Sequence, residues 1–368
     1  MSQFKFAWMS DTHVGYRQYG LERRECDFRL SFIAAVQTAI NVGCKFVIHS
    51  GDIIHNNRPT AQTILCLKEA HDRLRQAKIP LWVVSGNHDF SEPHWIQTIN
   101  PDNDKDGIFL IDGKIVKYGG FTVYGCPWLP REGFLASIPQ IPDADVIVWH
   151  GAISEFVGFP RASALRLEEL PLSKCQLWAA GDIHVNRMLT VENKVRGGVT
   201  HVGYPGSTEM NSSSEPDEKV VKIVSVEDNK ILRLDDLPVT TRRVVRFTIS
   251  CEDDVSHRID ELKAMANGDR FSPLVYIKFP SNLGFDLPGR FNTALNPNEF
   301  VLRFEQDTVA REESGDYVPI VNMTSSPEDI LHTMLPPNSD ILPVARKLID
   351  PAQDASRILD EYIDAVCQ

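Results

Sequence analysis

An α/β fold is predicted on three observations. Apolar runs recur that end in Asp, His or Asn, four of the five beside a glycine. Amphipathic segments separate the first three of these runs, and a strand–helix–strand–helix–strand beginning marks α/β architecture. Hydrophobic content of 42% and charged content of 24% are those of an ordinary globular chain. Open α/β sheets build their sites at the carboxyl ends of strands, so five such ends can form one pocket.

Phe4 to Met9 reads as the first buried strand and runs into Asp11-Thr12-His13. Residues i and i+2 share a side of a strand, so Asp11 and His13 can converge where it ends. A carboxylate and an imidazole aimed together suit a divalent cation. Asp27 to Ile40 carries Phe28, Phe32, Ala35, Val36, Ala39 and Ile40 at helical spacing, with Gly43 as a stop. Phe46 to His49 leads to Gly51-Asp52-Ile53-Ile54-His55. Thr60 to Lys78 is a second predicted helix, with Ile64, Leu67, Ala70 and Leu74 on one face. Pro80 precedes a third strand, Leu81 to Val84, which leads to Gly86-Asn87-His88-Asp89. Asn100 to Gly107, rich in Asp and Asn, is a predicted loop.

Strands and turns dominate after Gly113. Lys114–Lys117 and Phe121–Tyr124 flank a Gly119-Gly120 turn. Pro127 to Gln140 is predicted to be loop. Val146 to Trp149 precedes His150-Gly151, and Leu177 to Ala180 precedes Gly181-Asp182-Ile183-His184. Val199 to Met210 is turn-rich, and Val220–Val226 with Ile231–Leu234 forms a predicted hairpin. Composition shifts near Pro238: strands at Arg242–Ile249, Leu274–Phe279 and Phe300–Phe304 and a helix at Asp253–Ala266 suggest a small α+β unit without candidate ligands. Beyond Pro336-Pro337, the stripe Ile358, Leu359, Tyr362, Ile363 and Val366 reads as a C-terminal helix over Asp354–Val366.

Bulk properties restrict the partners. No run approaches the ~18 apolar residues of a membrane span, and no signal peptide is visible at the N-terminus. Seven scattered cysteines without Cys-x-x-Cys spacing read as reduced thiols in a cytoplasmic protein. Net charge is −12, whereas a free-standing nucleic-acid binder shows a basic footprint. Any DNA contact is therefore local, through arginines such as Arg17, Arg23, Arg24, Arg29, Arg58, Arg161, Arg166 and Arg187, or shared with a more basic partner. His49 reads as a core histidine.

Asp-x-His, Gly-Asp-x-x-His, Gly-Asn-His-Asp, an isolated His-Gly and Gly-x-x-His together resemble the calcineurin-like metallophosphoesterase superfamily. Asp11 through Phe28, Gly51-Asp-Ile-Ile-His and Tyr204-Pro-Gly-Ser are similar to its SbcD-type nucleases of double-strand-break repair, phage exonuclease subunits among them. The resemblance covers about residues 1–215 and implies a four-layer β-sandwich flanked by helices. It also implies a domain order: nuclease domain 1–238, cap 239–325 and a C-terminal helical segment 326–368 that docks an SbcC-like coiled-coil ABC ATPase. Two divalent metal ions follow from it. Asp11, His13, Asp52 and His184 would hold the first; Asp52, Asn87, His150 and Asp182 the second. An oxygen and nitrogen donor set favours Mn²⁺, or Mg²⁺, over structural zinc. His88 resembles the catalytic histidine of the family, with Asp89 adjacent and grouped with it among the catalytic residues, and His55 a second histidine that orients the phosphate.

One departure stands out: the family commonly reads Gly-His-x-His where this chain has Gly181-Asp182-Ile183-His184. Asp182 can coordinate with a shorter reach or sit one shell out. The implied activity is Mn²⁺-dependent exo/endonuclease hydrolysis of DNA by a homodimer, with Ile64, Leu67 and Trp95 available to the dimer contact or the core. Two alternatives stay open: a small-substrate phosphodiesterase or protein phosphatase, and a metal-poor scaffold subunit.

Overall fold

The computed structural model describes residues 3–91, 94–102, 104–157, 161–266, 273–280, 286–295 and 300–307. Alternation along the first strand, β1 (Gln3–Met9), sets the layers. Phe4, Phe6 and Trp8 share one face, and Ala7 and Met9 the other, as a period of two requires. The Ala7 and Met9 face packs on helices and the aromatic face on a second sheet.

Helix α1 (Glu22–Asn41) joins β1 to β2 (Val47–His49), and α2 (Ala61–Ala77) joins β2 to β3 (Pro80–Val83). α1 begins five residues before the predicted start, because Glu22 and Glu25 suit its first turn and Arg24 turns inward to buried carboxylates. Thr60 caps α2 by accepting from the Thr63 N–H, and Lys78 ends it in the left-handed conformation. α3 (Ile96–Ile99) and an unanticipated strand, β4 (Gly107–Leu110), complete this half.

The second half contains β5 (Ile115–Tyr118), β6 (Phe121–Gly125), α4 (Arg131–Ser137), β7 (Val146–His150), β8 (Leu177–Gly181), β9 (Arg187–Glu192) and β10 (Val199–Tyr204). The hairpin β11 (Val220–Glu227) and β12 (Lys230–Pro238) then returns to the first sheet. The sheet orders are β12-β11-β1-β2-β3-β4 and β5-β6-β7-β8-β10-β9. Two expectations fail here. Pro127–Gln140 contains α4, which brings Phe134 onto Trp149 and Trp178. Val199–Tyr204 is a strand, parallel to β8 and antiparallel to β9. Its inward residues, Thr200, Val202 and Tyr204, are too mixed in polarity to show as an apolar run.

An aromatic stack fills the space between the sheets. Phe6 lies on Phe46 with ring centroids 4.7 Å apart, Phe46 on Trp82 at 4.4 Å, and Phe121 meets Phe4 edge-on at 5.5 Å. Truncating a buried phenylalanine such as Phe46 costs about 3–5 kcal/mol. The layers run helices, sheet, sheet, helix, the mixed α/β sandwich expected.

After β12 come β13 (Val244–Thr248), α5 (Glu252–Ala266), β14 (Leu274–Pro280), the unanticipated α6 (Leu287–Ala294) and β15 (Val301–Asp307). They form a three-stranded sheet, β13-β14-β15, with its own core around Phe247, Leu262 and Phe291. Arg242 fastens this unit to α1 by donating to both oxygens of Asp27 at 2.6 and 2.7 Å. The predicted helix at Asp354–Val366 lies outside the described residues. Among those residues, no helix is long and apolar enough to cross a membrane.

Candidate metal centre

The carboxyl ends of the two sheets meet at Ser50, directly after β2. Its hydroxyl donates to the Ala179 carbonyl of β8 at 2.9 Å and accepts from Trp8 Nε1 at 2.8 Å. Its carbonyl accepts from His150 Nδ1 at 2.8 Å and from the Ser10 hydroxyl at 3.3 Å. Any Cβ on Gly181 would collide with that carbonyl, so glycine is required where the sheets close.

Three overlapping clusters form there: Asp11, His13 and His184; Asp11, Asp52 and His150; and His13, His55 and His88. In each, the potential ligand atoms lie within 4.8 Å of one another. Asp52 is central, its Oδ2 3.9 Å from His13 Nε2 and 3.4 Å from His150 Nε2. Asn87 Oδ1 is 3.0 Å from His150 Nε2. Asp11, His13, Asp52 and Asp182 have φ of 51°, 43°, 55° and 102°. Left-handed backbone at non-glycine residues is costly and concentrates at functional sites. Here it is enforced by Asp11 N–H to the Gly51 carbonyl and His13 N–H to the Asp52 carbonyl.

Acceptor-only partners fix the imidazoles. His150 Nδ1 donates to the Ser50 carbonyl, His88 Nδ1 to the His55 carbonyl at 2.9 Å and His184 Nδ1 to Glu215 Oε1 at 2.9 Å. With Nδ1 so engaged, His150 and His184 turn Nε2 toward the cluster, 3.0 Å from Asn87 Oδ1 and 3.2 Å from His13 Nε2, the arrangement in which outer partners orient metal-binding histidines.

Burial and close charges polarise the group. Burial raises the Asp11 carboxyl to about 6 and pushes His13 well below its ordinary value. Burial also works to raise Asp52, but the His150, His13 and His88 imidazoles overcome it and hold the carboxyl below its usual range. His150 is the reverse: burial works against its charged form, and Asp52 outweighs it and raises the imidazole. Carboxylates, imidazoles and one amide converging without a thiolate fit a divalent cation such as Mn²⁺ or Mg²⁺.

Asp11, His13, Asp52, Asn87, His150 and His184 are thus brought together, with His88 and His55 alongside. Asp182 reaches the edge only: its N–H donates to both Asp11 oxygens at 3.1 Å, while its carboxylate is held by Arg161. Asp89, expected beside His88 among the catalytic residues, is fully buried, and its oxygens accept from the Gly86 N–H at 2.6 Å and the Ile53 N–H at 2.7 Å. It clamps two ligand loops together. His49 is buried against the Thr12 hydroxyl at 3.1 Å, as a core histidine. Arg24 is fully buried among Asp27 and Glu209 and is not surface for DNA. Leu67 and Trp95 belong to the helix-side core.

Sequence reasoning overlooked Ser50, Glu215 and the ring of Tyr16, which stacks on His55 with centroids 3.9 Å apart. Only Tyr16 lay inside a recognised stretch. Glu215 sits in a serine-rich loop with no motif of its own.

Residues 4–186 match the family model described as calcineurin-like phosphoesterase. A Methanosarcina acetivorans protein named DNA double-strand break repair protein Mre11 is 29% identical over 232 residues, 59% of this chain and 36% of the relative. The protein of that name from Methanococcus maripaludis is 24% identical over 306 residues, 76% of this chain and 78% of the relative. A solved structure of purple acid phosphatase PPD1 from yellow lupin aligns with a TM-score of 0.40 at 12% identity, over 65% of this chain and 53% of that one. The chain spans little more than a third of the first of these relatives.

Proposed function

The chain belongs to the calcineurin-like phosphoesterases through residues 4–186, and on that premise we propose that it is a metal-dependent DNA nuclease that hydrolyses phosphodiester bonds. The observation that carries the reading is the convergence of Asp11, His13, Asp52, Asn87, His150 and His184 around one carboxylate, Asp52. The names of the relatives, DNA double-strand break repair proteins, support the substrate.

Asp11, His13, Asp52 and His184 would hold one divalent ion, and Asp52, Asn87 and His150, with Asp182 at the edge, the other. Two ions held there would neutralise a phosphate and acidify a water. The chain itself positions and moves the proton. With His88 Nδ1–H committed to the His55 carbonyl, its Nε2 would be the atom that, in the doubly protonated ring, gives its proton to the leaving oxygen and returns the ring to neutral. The His88 N–H donates to Asp52 Oδ1 at 2.9 Å, which couples the proton donor to the shared ligand. His55, stacked under Tyr16, orients the phosphate.

The net charge of −12 supplies little phosphate affinity, so tight duplex binding belongs to a complex with a more basic SbcC-like ABC ATPase. The segment 326–368 is the proposed docking element for it, and a homodimer the proposed form. Cleavage of duplex and single-stranded DNA in Mn²⁺, with and without the ATPase, tests the reading. Cleavage by the native chain, abolished by chelation and in Asp52→Ala, is expected. DNA left intact by a chain with two bound Mn²⁺ would refute it. The acidic charge favours one second reading, a small-substrate phosphodiesterase, which that result together with hydrolysis of a small diester would select.

A further inference from the structure

A cavity of about 280 Å³ opens beside Asn87 and His150, and Arg161 and Asp182 share its wall. There Arg161 grips Asp182 with two prongs: Nη1 donates to Oδ2 at 2.6 Å and Nη2 to Oδ1 at 3.2 Å. The Asp182 main chain is fixed independently, by its N–H on both Asp11 oxygens at 3.1 Å. The pair is unequal in exposure, the Arg161 side chain 40% accessible and that of Asp182 12%. An anchored carboxylate thus sits at the edge of the ligand cluster with both oxygens already taken by a half-exposed guanidinium, whose Nε also donates to the Ser163 hydroxyl at 3.1 Å.

Resting on the two-ion reading above, we propose that Arg161 and the second ion compete for the Asp182 carboxylate. Loading of that ion hands the Arg161 guanidinium to the substrate phosphate. A carboxylate engaged in a two-pronged contact has spent the lone pairs best placed for a cation. The fork that fits a carboxylate also fits a phosphate, and Arg161 lines the same cavity as the second-ion residues Asn87 and His150. Arg161 is then a positioning residue for the phosphate, and Asp182 with Arg161 is a matched pair: a histidine at 182 would leave the guanidinium no anion to grip.

Mn²⁺ binding by the full chain, followed by the EPR signal of free Mn²⁺, tests this together with binding of inorganic phosphate to the Mn²⁺-loaded protein. Removing a half-exposed competitor in Arg161→Ala should tighten the second ion by about fivefold. Phosphate affinity should fall by at least about fivefold although both ions are bound. Arg161→Lys, which keeps charge but not the fork, should fall between. In an Asp182→Asn background, Arg161→Ala should no longer alter the second ion, the signature of direct coupling. A second ion bound equally or more weakly in Arg161→Ala, or phosphate bound as well as before, overturns the proposal while leaving the two-ion reading intact. Absence of Mn²⁺ binding in every variant, native chain included, removes both.

Discussion

His184 and Glu215 are joined by a 2.9 Å hydrogen bond from Nδ1 to Oε1. The other Glu215 oxygen is held by Lys219 Nζ at 2.6 Å, the Ser207 hydroxyl at 3.1 Å and the Asn211 N–H at 3.1 Å. A histidine proposed as a metal ligand is therefore oriented by a carboxylate that is itself immobilised. Removing such an outer partner typically costs 10–100-fold in metal affinity. Glu215→Gln should weaken the first Mn²⁺ by about tenfold, and a Mn²⁺ titration checks it. An unchanged binding curve would show that His184 needs no such support.

His88 offers a sharper separation of roles. Its side chain bonds the His55 carbonyl and its ring stands edge-to-face 5.0 Å from His13. His88→Ala should lower cleavage by about 10²–10⁴-fold, the usual contribution of a positioned proton donor, with both Mn²⁺ ions still bound. Loss of an ion in that variant would make His88 a ligand instead.

How far the chain could be read in advance follows from where its signals are local. β1 from Phe6 onward, β2, β3, β7 and β8 are buried on both faces, so they show as largely apolar runs, and each run leads into a loop or strand end that carries a residue of the centre. β9 and β10 are half exposed with mixed alternation, so their pairing was hidden. Ser50 does its work through contacts to Trp8, Ala179 and His150, from 42 to 129 residues away in sequence, which no periodicity reports. The hydrogen bonds of Asp89 are hidden for a related reason: its carboxylate turns to two backbone amides of separate loops.

The buried charges around α1 yield a stability prediction. Asp27 accepts from Arg24 Nη1 at 2.6 Å and from Arg242 at 2.6 and 2.7 Å, all three side chains nearly inaccessible. Removing one partner of a buried ion network leaves uncompensated charge, at a cost of about 3–5 kcal/mol. Asp27→Ala should shift the urea midpoint down by about 1–2 M. Since Arg242 begins the accessory unit, early loss of the Phe247 and Phe291 core is the accompanying expectation. A midpoint within error of the native value would mean that Glu209 alone neutralises both arginines.

His94 sets a pH limit away from the metal centre. Its Nδ1 accepts the Ile96 N–H at 3.3 Å, and its buried Nε2 has no hydrogen-bond partner among the described residues. Burial alone lowers the imidazole from 6.5 to about 4. The unfolded chain therefore takes up this proton at higher pH than the folded one. The stabilisation is fully present above about pH 6.5 and is lost as pH falls toward 4. A shift of that size corresponds to about 3 kcal/mol at most. His94→Leu removes the titrating group while keeping an apolar side chain, so its stability should fall less steeply than the native chain's between pH 6.5 and 4. Urea melts in chelator across that window supply the comparison, and parallel slopes would mean that His94 is protonated without cost in the fold.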